Sequence, residues 1–418
     1  MKTGLIAVLD IGSTKVACFI AHADPAGKLK IVGIGHQVSQ GIRGGIIIDI
    51  KQAEGSIVAA VHAAEKMAGE TIDRVLVNVS GSNLNSRNLS VENNISGHQV
   101  TERDIAQIMA EGYRHFAEDD QEILHCIPIN YSIDDTHGIS DPRGMFGEKL
   151  STHLHIVTAS STAIRNLSNC LARCHLDIED CVSSAYASGL ACLTEDEKNL
   201  GVTLLDIGGG NTSIAVFVSG ILVYTTSIAL GGQHITRDIA RGLSTSVTYA
   251  ERLKTMYGSA VVTNNDRQEV LEVPLIDSEE ESENASEMMH VSKSDVNGII
   301  RPRVEEVFEL AKKKLEAAGL DKAAQARIVL TGGTSQLVGI KDVAQEVFGR
   351  PIRISRPIQV EGMAESTKGA AFSTCVGMLK YAVRKDDTVL AGPEKSGVSL
   401  PLPENAIGRV IRWLQQNF

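Results

Sequence analysis

An internal repeat constrains this chain more than any other feature of its sequence. AVLDIGSTKVACFIA at residues 7–21 returns as TLLDIGGGNTSIAVFV at 203–218, with Asp10 and Asp206 in register 196 residues apart. Each copy reads as an apolar strand ending in Asp, a turn of small polar residues, and a second apolar strand, so each is a β-hairpin with a polar tip. Two such hairpins half a chain apart imply one α/β unit used twice.

Around the repeat, the rest of each unit can be traced. Residues 51–68 space their apolar side chains along one face of a helix, and RVLVNVSG at 74–81 is a strand and its turn, which completes the first core. From about 85 to 160 the pattern changes. A capping box from Thr101 to Asp104 opens a helix with Ile105, Ile108, Met109 and Phe116 inward, and strands follow near 123–133 and 152–158. This stretch is expected to be a small α+β subdomain inserted in the first unit. The second unit carries its own insertion from Gly231 to about Arg301, with helices at 235–242 and 247–256 and a strand at 268–273. Within it the run Asp277 to Glu287, six acids and no bases, reads as a solvated loop. Pro302 is expected in the first turn of a helix running to about Ala318, and IVLTGG at 328–333 returns to a buried strand. The chain thus divides into a first unit (1–84, 161–195 and 359–383) with an insertion (85–160), a second unit (196–230 and 302–358) with its insertion (231–301), a linker (384–403) and a terminal segment (404–418).

Composition narrows the possible partners. With 43% hydrophobic and 22% charged residues over 418 positions the chain is globular rather than disordered, and 40 basic against 51 acidic residues (net charge −11) argue against general nucleic-acid binding. The start reaches Asp10 and Lys15 before an apolar run can form, so no signal peptide is expected, and no stretch approaches the ~18 apolar residues of a membrane span. Seven cysteines, an odd number, are expected as reduced thiols. Cys170, Cys174, His175 and Cys181 raise a zinc reading, but Ile164, Leu167, Leu171 and Cys174 follow the core face of one helix and no CxxC pair occurs.

The repeated hairpins supply what a magnesium nucleotide requires: backbone N–H groups around phosphate, carboxylates for a hydrated metal, and a bare surface for adenosine. In the first, Gly12, Ser13 and Thr14 admit a phosphate, Lys15 adds a cation, and Asp10 faces the metal's water shell. In the second, Gly208, Gly209, Gly210, Asn211 and Thr212 repeat the cradle, with Asp206 as the matching carboxylate. A third motif, Gly332, Gly333 and Thr334, is a strand-to-helix turn with room for a flat ligand. No GxxxxGK[ST] is present, which excludes a P-loop.

In order and spacing these three motifs resemble the two phosphate motifs and the adenosine motif of the actin, Hsp70 and sugar-kinase superfamily. That resemblance implies an α/β fold of duplicated ribonuclease H-like domains flanking a nucleotide cleft, with ATP and Mg²⁺ as ligands. It also places Glu251 and Lys254, just after the Gly231-Gly232 turn, at the ribose and adenine. VLDIGSTKV, LGVTLLDIGGGNTSIAVF, GGQHITRDIA, AERLK, IVLTGG and the C-terminal tail narrow the resemblance to the bacterial cell-division FtsA family over nearly the whole chain. The insertion at 85–160 is similar to the family's own subdomain, which stands where actin has none. Membership implies self-assembly into actin-like filaments, docking of the C-terminal tail of the tubulin-like FtsZ, tethering of the FtsZ ring to inner-membrane lipids at the septum, and recruitment of later division proteins through the insertion. On the same grounds Arg301, Arg303, Glu305 and Glu306 are candidates for the FtsZ-tail surface, a solvated helix face being the alternative. A sugar kinase would need a catalytic carboxylate facing a sugar pocket, which nothing marks, and a chaperone of the Hsp70 kind would need some two hundred residues after the adenosine motif, where 85 follow Gly333.

Hydrolysis departs from the superfamily pattern. Active relatives place an acid or amide on the helix after the first unit to orient water, whereas here it reads SSAYASGLACL from Ser183 to Leu193. Asp10 and Asp206 could position water through the metal, so slow turnover is expected, with ATP acting chiefly as a conformational ligand. At the C-terminus Ile407, Val410, Ile411, Leu414 and Phe418 form one apolar stripe flanked by Trp413, with Arg409 and Arg412 beside it. Periodicity alone fits equally a helix lying in a headgroup region and one docked on the body. The linker before it, and the family's membrane-targeting sequence, favour the membrane.

Overall fold

The computed structural model describes residues 3–81, 84–115, 120–276, 288–320 and 327–384. The expected linker at 384–403, beyond its first residue, and the terminal helix at 404–418 lie outside them, as do the acidic run 277–287 and Phe116.

The first unit opens with an antiparallel hairpin of β1 (Gly4–Ile11) and β2 (Lys15–Ala23), extended by β3 (Leu29–Val38). A short ladder of β4 (Ile42–Arg43) and β5 (Ile46–Ile47) leads to α1 (Ile50–Ala68), after which β6 (Arg74–Val79) pairs parallel to β1. Asp49 caps α1 by accepting the N–H of Gln52, and Gly69, at φ 72°, ends it in the left-handed conformation that glycine adopts most readily.

The chain then leaves for the insertion: β7 (Leu84–Asn94), α2 (Glu102–Arg114), β8 (Gln121–Ile133), β9 (Thr136–Ile139) and β10 (Lys149–Ser160). Its four strands form an antiparallel sheet in the order β7-β10-β8-β9, with α2 packed on it through Ile108 and Met109. The expected capping box of α2 is present, with Thr101 and Asp104 bonded to each other. From the insertion α3 (Ser161–Arg173) leads back to β11 (Asp177–Ser183), which pairs parallel to β6 and gives the first sheet its order β11-β6-β1-β2-β3.

α4 (Ser184–Cys192) and α5 (Glu195–Leu200) cross to the second unit, which repeats the first. The meander of β12 (Val202–Ile207), β13 (Thr212–Val218) and β14 (Ile221–Ile228) precedes the second insertion, made of α6 (Gly232–Gly242), α7 (Val247–Met256) and the hairpin of β15 (Val270–Pro274) and β16 (Met288–Ser292). After α8 (Lys293–Ala317), β17 (Ile328–Thr331) pairs parallel to β12, and after α9 (Ile340–Phe348), β18 (Ile352–Ile354) pairs parallel to β17. The order β14-β13-β12-β17-β18 matches the first sheet strand for strand. α10 (Ser373–Ala382) returns to the first unit and contributes Cys375, Val376, Met378 and Leu379 to its core. The central strands β1 and β12 are buried for nearly their whole length, which is why they read as unbroken apolar runs.

Two expectations are corrected here. The long helix begins at Lys293 and not at Pro302: Ser292 and Asp295 form its capping box, and Val296 and Ile300 are already buried before the proline. Pro302 lacks the N–H that would bond the Gly298 carbonyl, yet Val304, Val307, Phe308 and Ala311 continue the same buried face and carry the helix through it. The expected boundary at 301/302 therefore falls inside α8. Strand β7, polar enough to escape a periodicity reading, pairs with β10 from Leu84 to Asn94.

The first insertion is joined to both units. On β8, His125 is fully buried; its Nε2 accepts the Ser183 N–H at 3.0 Å, and its ring meets Tyr186 and Tyr381 edge-on. On β7, Ser86 Oγ donates to the Thr225 carbonyl of β14 at 2.7 Å and accepts the Thr225 N–H at 3.2 Å.

Candidate functional site

The strand order brings both hairpin tips to one cleft of about 460 Å³ between the units. The two turns share one backbone geometry: the Gly12 N–H bonds the Lys15 carbonyl at 2.9 Å, and the Gly208 N–H bonds the Asn211 carbonyl at 2.9 Å. They meet tip to tip. A Cβ on Gly209 would stand 2.3 Å from Thr14 Cγ2, and one on Gly210 2.3 Å from Ser13 Oγ, so only bare backbone fits there. Gln233 Nε2 donates to the Ser13 carbonyl at 3.0 Å and Thr334 Oγ1 to the Gly208 carbonyl at 2.9 Å, which ties the first hairpin, the second hairpin and the Gly332-Gly333-Thr334 turn into one rim.

Behind the tips lie the two carboxylates. Asp10 Oδ2 accepts from Lys15 Nζ at 3.1 Å, and Asp10 Oδ1 from Asn78 Nδ2 at 2.8 Å. Burial alone would lower the Lys15 ammonium, but Asp10 and, more weakly, Asp206 outweigh it and hold its pKa above the usual value. Lys15 also lies 4.5 Å from the centre of the Phe372 ring. Asp206 accepts from Ser188 Oγ at 2.6 Å and Thr374 Oγ1 at 3.4 Å. Burial, reinforced by Asp10, pushes the Asp206 carboxyl up to about 6 against the hydrogen bond from Ser188.

Of the residues expected at the site, Asp10, Gly12, Ser13, Thr14, Lys15, Asp206, Gly208, Gly209, Gly210, Asn211, Gly232, Glu251, Lys254, Gly332, Gly333 and Thr334 all line this cleft. Thr212 and Gly231 do not. Thr212 has turned into the sheet, where its buried hydroxyl donates to the Leu230 carbonyl at 2.9 Å, and Gly231 packs against the Gly208 and Gly209 carbonyls. Lys254 Nζ is held by Glu251 (2.7 Å), Thr236 Oγ1 (2.8 Å) and the Gly232 carbonyl (3.2 Å), which fixes both side chains at the cleft wall. Gly332, at φ 87°, stands where a Cβ would strike Asp206 and the Ile207 backbone, whereas a Cβ on Gly333 would meet only Ala371 at 3.7 Å. Gly333 therefore leaves an open floor at this end of the cleft, and Gly332 is a backbone requirement.

Among the site residues that escaped the sequence reading, Asn78, Ser188 and Thr374 come to the carboxylates from β6, α4 and α10, and Gln233 and Ser184 also line the cleft. α4 carries no acid or amide, as expected, but an amide reaches the cleft from β6 at Asn78. The candidate partner charges are committed to intramolecular pairs: Arg301 to Glu305 (2.7 Å) and Glu346 (2.6 Å), Arg303 to Asp238 (2.6 Å) and Glu306.

The site fits a nucleotide carrying Mg²⁺. Asn211 lines the cleft with a buried amide nitrogen that has no hydrogen-bond partner, a donor suited to a phosphate oxygen. Among the described residues no group of three or more His, Cys, Asp or Glu is placed to hold a metal. Two carboxylates suffice for Mg²⁺, which retains several waters and binds chiefly through nucleotide phosphates.

Comparison with known proteins agrees with this architecture. The family described as "Cell division protein FtsA" matches residues 203–377, and the "SHS2 domain inserted in FTSA" matches residues 81–158. The cell division protein FtsA of Agrobacterium fabrum is 39% identical over 429 aligned positions, covering 100% of this chain and 96% of that protein. Among solved structures, the PilM-PilN type IV pilus biogenesis complex matches with a TM-score of 0.64 at 15% identity, covering 91% of this chain and 98% of that one. MreB5 of Spiroplasma citri, solved bound to ADP, matches with a TM-score of 0.52 at 15% identity, covering 90% of this chain and 95% of that one. The fold is actin-like, with the inserted subdomain at the place expected from the sequence.

Proposed function

The chain belongs to the FtsA family of cell-division proteins, and from that premise we propose that it is an ATP-binding adaptor that polymerises, tethers the FtsZ ring to the inner membrane and recruits later division proteins. The observation that carries the nucleotide reading is the convergence on one cleft of two Asp-Ile-Gly hairpins with the same turn geometry. ATP with Mg²⁺ is the ligand such a cleft suits: backbone amides of the Gly12–Lys15 and Gly208–Asn211 turns around the phosphates, Lys15 and Asn211 as added donors, and Gly333 beneath the adenosine. Mg²⁺, when bound, would neutralise phosphate charge, and Asp10 and Asp206 are the residues that would hold it through its waters. On α4, Ser184 lines the cleft and the helix offers no acid or amide there to orient water, which supports slow turnover and a conformational role for ATP.

The FtsZ tail is assigned to the 231–320 region. Arg301, Arg303, Glu305 and Glu306 would have to exchange their present partners to engage it, while Val247, Met256 and Val270, exposed in the same region, offer apolar contact. Later division proteins are assigned to the first insertion, which has its own core and a separate sheet. Among the described residues no helix is long and apolar enough to cross a membrane. Membrane association is assigned to residues 404–418, where Ile407, Val410, Ile411, Leu414 and Phe418 make the apolar stripe and Trp413 borders it. A single short amphipathic segment of this kind should bind weakly, and polymerisation would strengthen it through avidity.

Sedimentation with vesicles containing anionic lipid, with and without FtsZ and ATP, tests this reading. The full chain should carry FtsZ into the pellet, more strongly with ATP. Trp413→Glu should remain in the supernatant while still binding FtsZ. A variant that pellets as well as the parent would remove the tether.

A further inference from the structure

The crossover helix α4 passes from the first unit to the second, and two of its serines stand one turn apart. Ser184 Oγ accepts from Asn78 Nδ2 at 3.1 Å and donates to the Val79 carbonyl at 3.2 Å. Asn78 Oδ1 accepts the Ile11 N–H at 2.7 Å. An oxygen must face that N–H, so the amide orientation is determined, and Nδ2 is left to face Asp10 Oδ1 at 2.8 Å. The bonds to the Ile11 N–H and to Ser184 thus hold the Asn78 amide in place, and its remaining bond fixes one oxygen of the first carboxylate.

On the next turn, Ser188 Oγ donates to Asp206 Oδ2 at 2.6 Å and lies 3.1 Å from Thr374 Oγ1, which reaches the same oxygen at 3.4 Å. The other oxygen, Asp206 Oδ1, lies against the bare Cα of Gly332, where a Cβ would come within 2.3 Å of it. Both supports are inside the protein, Asn78 being 7% exposed and Ser188 0%. Neither side chain is needed to build α4, since serine is an ordinary helix former and Asn78 lies on a strand. Their polar atoms are spent on the two carboxylates, on the Ile11 N–H and on the hydroxyls of Ser184 and Thr374.

We propose that Asn78 and Ser188 are positioning residues that aim Asp10 and Asp206 at the hydrated Mg²⁺ of a bound nucleotide, with α4 as the common ruler between the two units. The proposal rests on the nucleotide reading of the cleft. It predicts a particular kind of loss. A carboxylate that swings away weakens the metal-dependent part of binding, while the amide cradle and adenosine surface continue to hold nucleotide without metal.

The test is calorimetric titration of ATP into the full chain and into Ser188→Ala and Asn78→Ala, each in Mg²⁺ and in EDTA, with melting temperatures measured alongside. Ser188→Ala is the milder substitution, because alanine suits a helix and leaves only Asp206 and Thr374 to rearrange. In each variant the gain in affinity conferred by Mg²⁺ should fall about tenfold, about 1.4 kcal/mol, while affinity in EDTA stays within about twofold. Retention of the full Mg²⁺ gain in both variants would overturn the proposal. So would an equal fall in Mg²⁺ and EDTA, which is the mark of a purely structural role. Failure of the unsubstituted chain to bind ATP would instead remove the nucleotide reading, and the inference with it.

Discussion

Asp206 carries a cost to the folded chain that the Mg²⁺ role proposed for it would explain. Its carboxyl, ordinarily near 3.8, is pushed up to about 6 by burial, so between those values the native state holds a proton that the unfolded chain has released. The sign follows from linkage: stability falls as pH rises through this window, and the loss is complete above about 6. At neutral pH the charged form costs at most about 3 kcal/mol. Asp206→Asn should therefore raise the melting temperature of the nucleotide-free chain at pH 7, with the advantage shrinking as pH falls toward 4, and it should weaken Mg²⁺-dependent ATP binding. Equal melting curves across pH 4 to 7 would contradict the assignment. A site residue whose replacement stabilises is the expected trade between stability and function.

At the scale of elements, the first insertion hangs on histidines held neutral by burial. The His125 and His155 side chains, on neighbouring strands β8 and β10, are both held down to about 3 by burial, with His125 acting further on His155. The stability this represents is intact above the ordinary histidine value of 6.5 and is lost as pH falls through the window below it. Thermal unfolding followed from pH 7.5 to 4.5 should show a steep loss below about 6.5. The double variant His125→Gln, His155→Gln should start less stable and lose less; a parallel decline would contradict the role given to the histidines. The elements also mark what could be read from the chain alone. The hairpins were legible because Asp, the Gly-rich turn and the flanking apolar runs are contiguous and repeated. β7 was not, because its residues LNSRNLSVENN are mostly polar and owe their strand to pairing with β10. The start of α8 was misplaced because Pro302 looks like a first-turn residue, while the Ser292–Asp295 cap that opens the helix follows directly on β16. Thr212 was misassigned because it already belongs to β13, where alternation turns it inward.

Across the whole molecule, the duplication is the central fact, since the two sheets share one strand order and their hairpin tips meet at one cleft. Asn78 and Thr374 could not have been found by motif, because only the pairing of β1 with β6 and the return of α10 bring residues 68 and 168 positions away to the carboxylates. If the two hairpins are halves of a single site rather than two sites, stoichiometry shows it. Equilibrium dialysis of labelled ATP with Mg²⁺ against the full chain should saturate at one ATP per chain. Lys15→Ala in the first unit and Gly333→Phe in the second should each weaken that one event, Gly333→Phe the more because the ring would occupy the adenosine floor. Saturation at two ATP per chain, or unchanged affinity after substitution in either unit, would contradict it.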